Sequence, residues 1–144
     1  MEFFENGDGF SIDCGIRIFG AYSRADDKKS FQLKFRDMYG QSELVYSVFD
    51  ELDTVKSFKA LVLRAGSQDY AYAMLRDEFF TSLLKSHSEN LYVQAYKPCN
   101  LYVNGEYFGI YYFREKVNSD YVAKHLNAAE ENTDLLVGSE AVIY

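Results

Sequence analysis

Two cysteines, one proline and two histidines are all that these 144 residues hold of those types, and each scarcity closes off a class. Cys14 and Cys99 are too few for the disulfide frameworks of small secreted domains, and neither their number nor their spacing suits a zinc site. Either they pair with each other or they act as small buried residues, since both fall on faces expected to meet a core. A single proline and no low-complexity run leave nothing from which an internal linker could be built. No apolar stretch is long enough to span a membrane. The opening MEFFENGDGF lacks the basic segment and apolar run of a signal peptide. Basic residues are also in deficit, 15 against 22 acidic ones, for a net charge of −7. That balance argues against a general binder of nucleic acid polymers or anionic membranes, because phosphate neutralisation needs a basic excess. A local basic cluster can still hold a small anion. Dinucleotide, P-loop, nucleophile-elbow and zinc-protease motifs are all missing. His87 and His125, at predicted helix ends, read as solvated caps rather than catalysts.

What is abundant is apolar: 48% of the residues are hydrophobic and 17% aromatic, the composition of one folded domain with its own core. The most informative stretch is residues 97–116, KPCNLYVNGEYFGIYYFREK. Asn104-Gly105 is a strong hairpin signal, since both central residues of a type I′ turn need positive φ. Closure there pairs Val103 with Glu106, Tyr102 with Tyr107, Leu101 with Phe108 and Cys99 with Ile110. One face is then Cys99, Leu101, Val103, Phe108, Ile110 and Tyr112. The other is Asn100, Tyr102, Tyr107, Tyr111 and Phe113. With aromatics on both sides, the hairpin is expected at the centre of a sheet packed on each face.

Elsewhere, Asn6-Gly7-Asp8-Gly9 reads as a turn, without the later ligands of a calcium loop. Residues 11–19 alternate as a strand that places Ile12, Cys14, Ile16 and Ile18 on one face. A polar loop, 20–29, leads to a strand at 30–36 with Phe31, Leu33 and Phe35 inward and Gln32, Lys34 and Arg36 outward. Residues 43–48 form a short strand or irregular piece, and 57–63 a buried strand. Asp69 is a plausible N-cap for a four-turn helix over 70–85, with Leu75, Phe79 and Leu83 against the sheet. A loop at 86–90 precedes a strand at 91–96. Asn118 or Ser119 caps a short helix to about Leu126. The chain finishes on the apolar Ala141-Val142-Ile143-Tyr144, which suggests a piece of something longer. The fold class is α+β, a mostly antiparallel twisted sheet with one long packed helix.

Three charged groups could carry chemistry. Arg24, Lys28, Lys29, Lys34 and Arg36 could gather over a phosphate, or simply balance Asp26, Asp27 and Asp37 on a solvated face. Arg76-Asp77-Glu78 lies on the helix where either flank can border the sheet, or is ordinary surface charge. Arg114-Glu115-Lys116 ends the hairpin beside a cleft, or merely terminates a strand.

Four ordered blocks resemble one family. They are Gly15-Ile16-Arg17-Ile18-Phe19-Gly20-Ala21-Tyr22-Ser23-Arg24 with Lys28-Lys29-Ser30-Phe31-Gln32-Leu33-Lys34-Phe35; Leu63-Arg64-Ala65-Gly66; Arg76-Asp77; and Asn104-Gly105-Glu106-Tyr107-Phe108-Gly109-Ile110-Tyr111 with Glu115-Lys116. Together they resemble the CotH-type atypical kinases, spore coat protein H and relatives. The resemblance implies a protein-kinase-like fold, ATP and magnesium as ligands, and phosphorylation of Ser/Thr in secreted or spore-coat proteins. The chain then corresponds to a small lobe as far as about residue 117, with a hinge and the start of the next lobe over 118–144. By this analogy Lys34 or Lys29 contacts ATP phosphates, Asp77 or Glu78 positions that lysine, and residues 115–117 form the hinge beside adenine. Arg24, Arg76 and Lys116 complete the candidate ATP-binding set. Kinase catalytic and metal-binding aspartates follow the hinge. Fewer than thirty residues follow Lys116 here, and neither Asp120 nor Asp134 matches such a position. No residue is assigned as a catalytic group or metal ligand, and no phosphoryl transfer is expected from the isolated chain. The alternative is a non-catalytic binding or structural module at an extracellular or spore surface, using Tyr102, Tyr107 and Tyr111 for contacts. Self-association of the fragment is a further expectation.

Overall fold

The computed structural model describes residues 1–88, 91–137 and 140–142. The chain opens with a hairpin of β1 (Glu2–Glu5) and β2 (Asp8–Ser11), turned through Asn6 and Gly7 at φ 50° and 87°. The strand expected over 11–19 is therefore two pieces. Ser11 ends β2, and β3 begins at Gly15 and runs to Phe19 (Gly15–Phe19). After it come β4 (Ser30–Lys34), the short pair β5 (Leu44–Val45) and β6 (Ser57–Phe58), and β7 (Ala60–Arg64). Helix α1 (Arg76–His87) leads to β8 (Tyr96–Val103) and β9 (Glu106–Glu115). Helix α2 (Ser119–Leu126) and the pair β10 (Leu135–Val137) and β11 (Glu140–Val142) complete it. The fold is α+β with antiparallel sheets. Among the described residues no helix is long and apolar enough to cross a membrane.

The main sheet has the order β3-β4-β7-β9-β8, all antiparallel. Its centre is β7; the β8–β9 hairpin expected there lies at one edge. The Asn104-Gly105 turn forms as its sequence demands, with φ 52° and 84°, and Val103–Glu106 and Tyr102–Tyr107 pair as expected. Beyond them the register slips: Leu101 opposes Gly109, Asn100 opposes Ile110 and Cys99 opposes Tyr111. Phe108 is the extra residue of a β-bulge, with Gly109 beside it at φ 115°. One inserted residue exchanges the two faces of everything after it. Tyr111 and Phe113 therefore enter the core, while Ile110 and Tyr112 turn to the opposite side with Arg114. Tyr111 is wholly buried, and its hydroxyl donates to the Lys29 carbonyl at 2.8 Å. It is lost to any surface tyrosine patch.

The core fills the face made by Leu33, Leu61, Leu63, Tyr111 and Phe113, covered by the first hairpin and by residues 44–58. Phe3 stacks on Phe10 at 5.3 Å and meets Phe113 edge-on at 5.5 Å. Each large apolar side chain so buried contributes about 1.5–3 kcal/mol. Lys97 anchors the hairpin to this cover through Glu5 at 2.7 Å and Asp50 at 3.1 Å. Ile12 joins this core, whereas Ile16 and Ile18, on the edge strand, are exposed. Cys14 and Cys99 are half-buried free thiols, and burial pushes the Cys99 thiol up to about 11. The expected strand at 91–96 is irregular up to β8. The expected loop at 86–90 lies partly outside the described residues.

The opposite face is covered by α1, which departs from expectation twice. It starts at Arg76 rather than near residue 70, after a 3-10 turn at Ser67–Asp69 and a left-handed Met74 at φ 59°. The N-cap is Leu75, with no side-chain cap, and not Asp69 as expected; Asp69 reaches the first turn from farther back, where Oδ2 accepts from the Arg76 N–H at 3.2 Å and Oδ1 lies 3.1 Å from the Arg76 guanidinium. The apolar stripe expected against the sheet points outward. Leu75, Phe79, Phe80, Leu83 and Leu84 are 41–62% exposed, while Glu78 is buried at 3%. Two arginines under the helix explain this orientation.

Candidate functional site

Register places Arg17, Gln32, Val62 and Arg114 in one row across the α1 face, with Lys34 one step toward the sheet end and Arg64 one step the other way. Gln32 and Val62 are buried in the floor of this face. Helix α1 covers the half over β7, β9 and β8. There Asp77 pairs with Arg64, and Arg114 lies 3.7 Å from Asp77 and 3.8 Å from Glu78. Those longer contacts are ion pairs rather than hydrogen bonds; Arg114 donates instead to Thr81 Oγ1 at 3.1 Å. Burial pushes the Glu78 carboxyl up, with Arg114 opposing, and pushes Arg114 down, with Glu78 opposing. A buried arginine without carboxylates nearby is costly. The polar edge of α1 therefore faces inward and its apolar stripe outward.

The half of the face over β3 and β4 carries a second set of cations. Arg17 donates from Nε to Gln32 Oε1 at 2.7 Å. Lys116, just past β9, reaches across so that Nζ stands 5.5 Å from the centroid of the Phe19 ring; Nζ also donates to the Val117 carbonyl at 2.9 Å. Burial lowers the pKa of Lys34, helped by Arg17 and Arg36, and that of Lys116, helped by Arg17 and Lys34. Strand register sets Arg17 and Lys34 beside each other on this face. A groove of about 530 Å³ is lined by Arg17, Ile18, Phe19, Gly20, Ala21 and Arg24, and by neither Lys34 nor Lys116.

The remaining candidates disperse. Arg24, in the 3-10 turn Tyr22–Arg24, is exposed on the far wall of the groove. Lys29 turns back onto the carbonyls of Arg24 (2.9 Å) and Asp26 in its own loop. Lys28 crosses to the Ile110 carbonyl at 2.7 Å and lies over the Tyr111 ring. Arg36 is exposed and Arg76 is held by Asp69. Asp77 and Glu78 meet Arg64 and Arg114 rather than serving Lys29 or Lys34. Glu115 is buried: its carboxylate accepts from Ala95 N–H at 2.9 Å and meets His125 Nε2 at 2.7 Å. His125 is therefore a half-buried partner of Glu115 and not a solvated cap, whereas exposed His87 does sit at the α1 end, its Nδ1 2.9 Å from the Leu83 carbonyl. Asp120 is committed to Lys124 at 3.0 Å. Among the described residues no group of three or more acidic, histidine or cysteine side chains is placed to hold a metal ion.

The family model for CotH kinase protein matches residues 16–142. The chain belongs to the CotH kinase family. No curated protein matches it. In this CotH-family domain, sequence reasoning left out Arg17 and Arg114 as site residues and gave Arg64 no role. Arg17 and Arg64 were visible only as members of quoted motifs, and Arg114 only within the charged group that ends the hairpin. What ties them to the site is the strand register, which puts Arg17 beside Lys34 and Arg64 beneath Asp77.

Proposed function

We propose that this domain is the ATP-binding small-lobe portion of a CotH-type protein kinase. The acceptors in this reading are Ser/Thr hydroxyls of secreted or spore-coat proteins. One observation carries the reading. A cation at the end of the third strand, Arg64, pairs with an acid, Asp77, on the helix inserted between the third and fourth strands of a five-stranded antiparallel sheet. Protein kinases join a third-strand cation to a helix carboxylate in the same way, and the pair fixes the helix against the sheet. Residues 115–117, where β9 gives way to the segment before α2, then take the place of the hinge. The nucleotide lies on the half of the face that α1 leaves open.

The residues fit such a ligand in part. Arg17, Lys34 and Lys116 suit phosphate oxygens; magnesium, when bound with ATP, would supply neutralisation of phosphate charge. The groups that would activate an acceptor hydroxyl are assigned to no residue here, so phosphoryl transfer by these 144 residues alone is not expected. Isothermal calorimetry with Mg-ATP tests the reading: saturable binding supports it. No heat at millimolar nucleotide overturns it and favours a non-catalytic binding module. The exposed Tyr102–Tyr107 ring pair, with centroids 5.4 Å apart, would then be its contact surface.

A further inference from the structure

A sheet edge is a template for a further strand unless something blunts it, and the two edges of the main sheet differ in this. Edge strand β8 contains Pro98, which has no N–H to offer. Its Lys97 is tied to Glu5 and Asp50 in the cover of the core. Edge strand β3 has no proline and, among the described residues, pairs with β4 alone. Its Ile16 and Ile18 are 63% and 43% exposed. The groove of about 530 Å³ follows this edge. Successive side chains of a strand point to opposite faces, yet Arg17, Ile18 and Phe19 all line the groove, and Gly20, Ala21 and Arg24 continue it past the strand end. A groove that touches both faces of a strand runs beside it. Arg17 uses one N–H on Gln32 Oε1, of the five that a guanidinium carries. Among the described residues no carboxylate forms an ion pair with Arg17 or Arg24. A second copy of β3 fits this edge poorly. Antiparallel pairing about the strand's centre sets two Arg17 side chains opposite each other, and like charges so placed are destabilising.

We propose that β3 receives, as a sixth and antiparallel strand, an extended segment of a partner protein in which acidic and apolar residues alternate. Directly opposed residues share a face, so an acidic residue opposite Arg17 meets its guanidinium. The apolar residues on either side of it lie against Ile16 and Ile18. A second acidic residue, opposite Phe19, lies at the Arg24 end of the groove. Main-chain hydrogen bonds supply the affinity of such an addition, and the alternation of side chains its specificity. The site is the rim of the sheet, so it holds whether or not the open half of the α1 face takes a nucleotide.

Fluorescence anisotropy of the full chain with a labelled, end-blocked peptide of alternating glutamate and valine tests this. Saturable binding is expected, and at least about tenfold weaker binding when lysine replaces glutamate. Arg24→Glu alters an exposed side chain, and circular dichroism checks its fold. It is expected to weaken binding by about fivefold or more, since an attraction becomes a repulsion of similar size. An added strand bonds through one of its edges, with alternate N–H groups. Of two peptides N-methylated at every glutamate or at every valine, one is therefore expected to lose binding and the other to keep it. Two methylated peptides that bind as tightly as the parent overturn strand addition. A lysine–valine peptide that binds equally well overturns the acidic partner. No binding at millimolar peptide overturns the site. A dimer in sedimentation that Ile16→Lys disperses and the peptide does not would give the edge to a second copy and overturn the proposal.

Discussion

Glu115 sets its carboxylate between the Ala95 N–H and His125 Nε2, at 2.9 and 2.7 Å, with only 3% of the residue exposed. His125 lies in the last turn of α2 and rests on the Tyr121 ring at 4.2 Å. The pair therefore joins α2 to the end of β9. Removing one partner of a buried pair strands the other, at a cost on the order of 3 kcal/mol. His125→Leu is expected to lower the urea midpoint accordingly; Glu115→Gln, which keeps an acceptor for Ala95, should cost less. The pH dependence has a definite sign. Burial raises the Glu115 carboxyl above its ordinary value of 4.5, against the opposing pull of His125 and the Ala95 N–H. A raised carboxyl favours the folded state while protonated, and that contribution is lost as pH climbs through the folded-state value. Without His125 the rise is larger, so the gap between wild type and His125→Leu should be small in acid and widest at neutral pH. Urea melts at both ends of that range check it, and a gap that does not change with pH would show that the His125 contact does not stabilise the Glu115 carboxylate.

Helix α1 shows at the scale of an element how a periodic pattern can be read correctly as a helix and placed the wrong way round. Leu75, Phe79 and Leu83 recur every four residues, but period alone gives a stripe and not its direction. The direction is set by Arg64 and Arg114, buried or half-buried on the sheet, which require Asp77 and Glu78 beneath the helix. Phe79→Lys should therefore leave the thermal midpoint nearly unchanged, a shift of under about 0.5 kcal/mol as for other exposed positions. Thr81→Val, which removes the Arg114 acceptor, should cost about 1–3 kcal/mol. A large loss from Phe79→Lys would mean that its ring is covered in solution. The hairpin divides in the same manner. Its turn was legible because Asn104-Gly105 suits positive φ, but the bulge was not. Residues 107–113 are apolar or aromatic at nearly every position, so either register buries a plausible set. Gly109 was the one hint, since glycine within a strand marks a bulge. In the site, Lys34 and Lys116 could be picked out as basic residues on a strand and at a strand's end. Arg17 could not, because its place beside Lys34 depends on β3 pairing with β4 at Gly15–Lys34 and Arg17–Gln32. The capture of Lys29 by its own loop also depends on how residues 20–29 fold back.

At the scale of the whole molecule the net charge is −7, so an approaching polyphosphate meets overall repulsion and local attraction together. The two have different ranges. The acidic surplus is a property of the whole chain, whereas on the proposed nucleotide site Arg17 and Lys34 would act on a phosphate only at contact distance. The screening length is about 30 Å at 10 mM salt, about 10 Å at 0.1 M and about 3 Å at 1 M. Added salt thus removes the distant repulsion first and the close attraction last. On the proposed nucleotide reading, Mg-ATP affinity should accordingly be flat or slightly rising up to about 0.1 M salt, and fall beyond it as the contacts themselves are screened. Calorimetry across a sodium chloride series tests this. Affinity that keeps rising toward 1 M would mean that the acidic exterior governs the encounter throughout. The cations of the open half of the face would then fail to outweigh the acidic surplus, and that half would be too weak to orient a nucleotide.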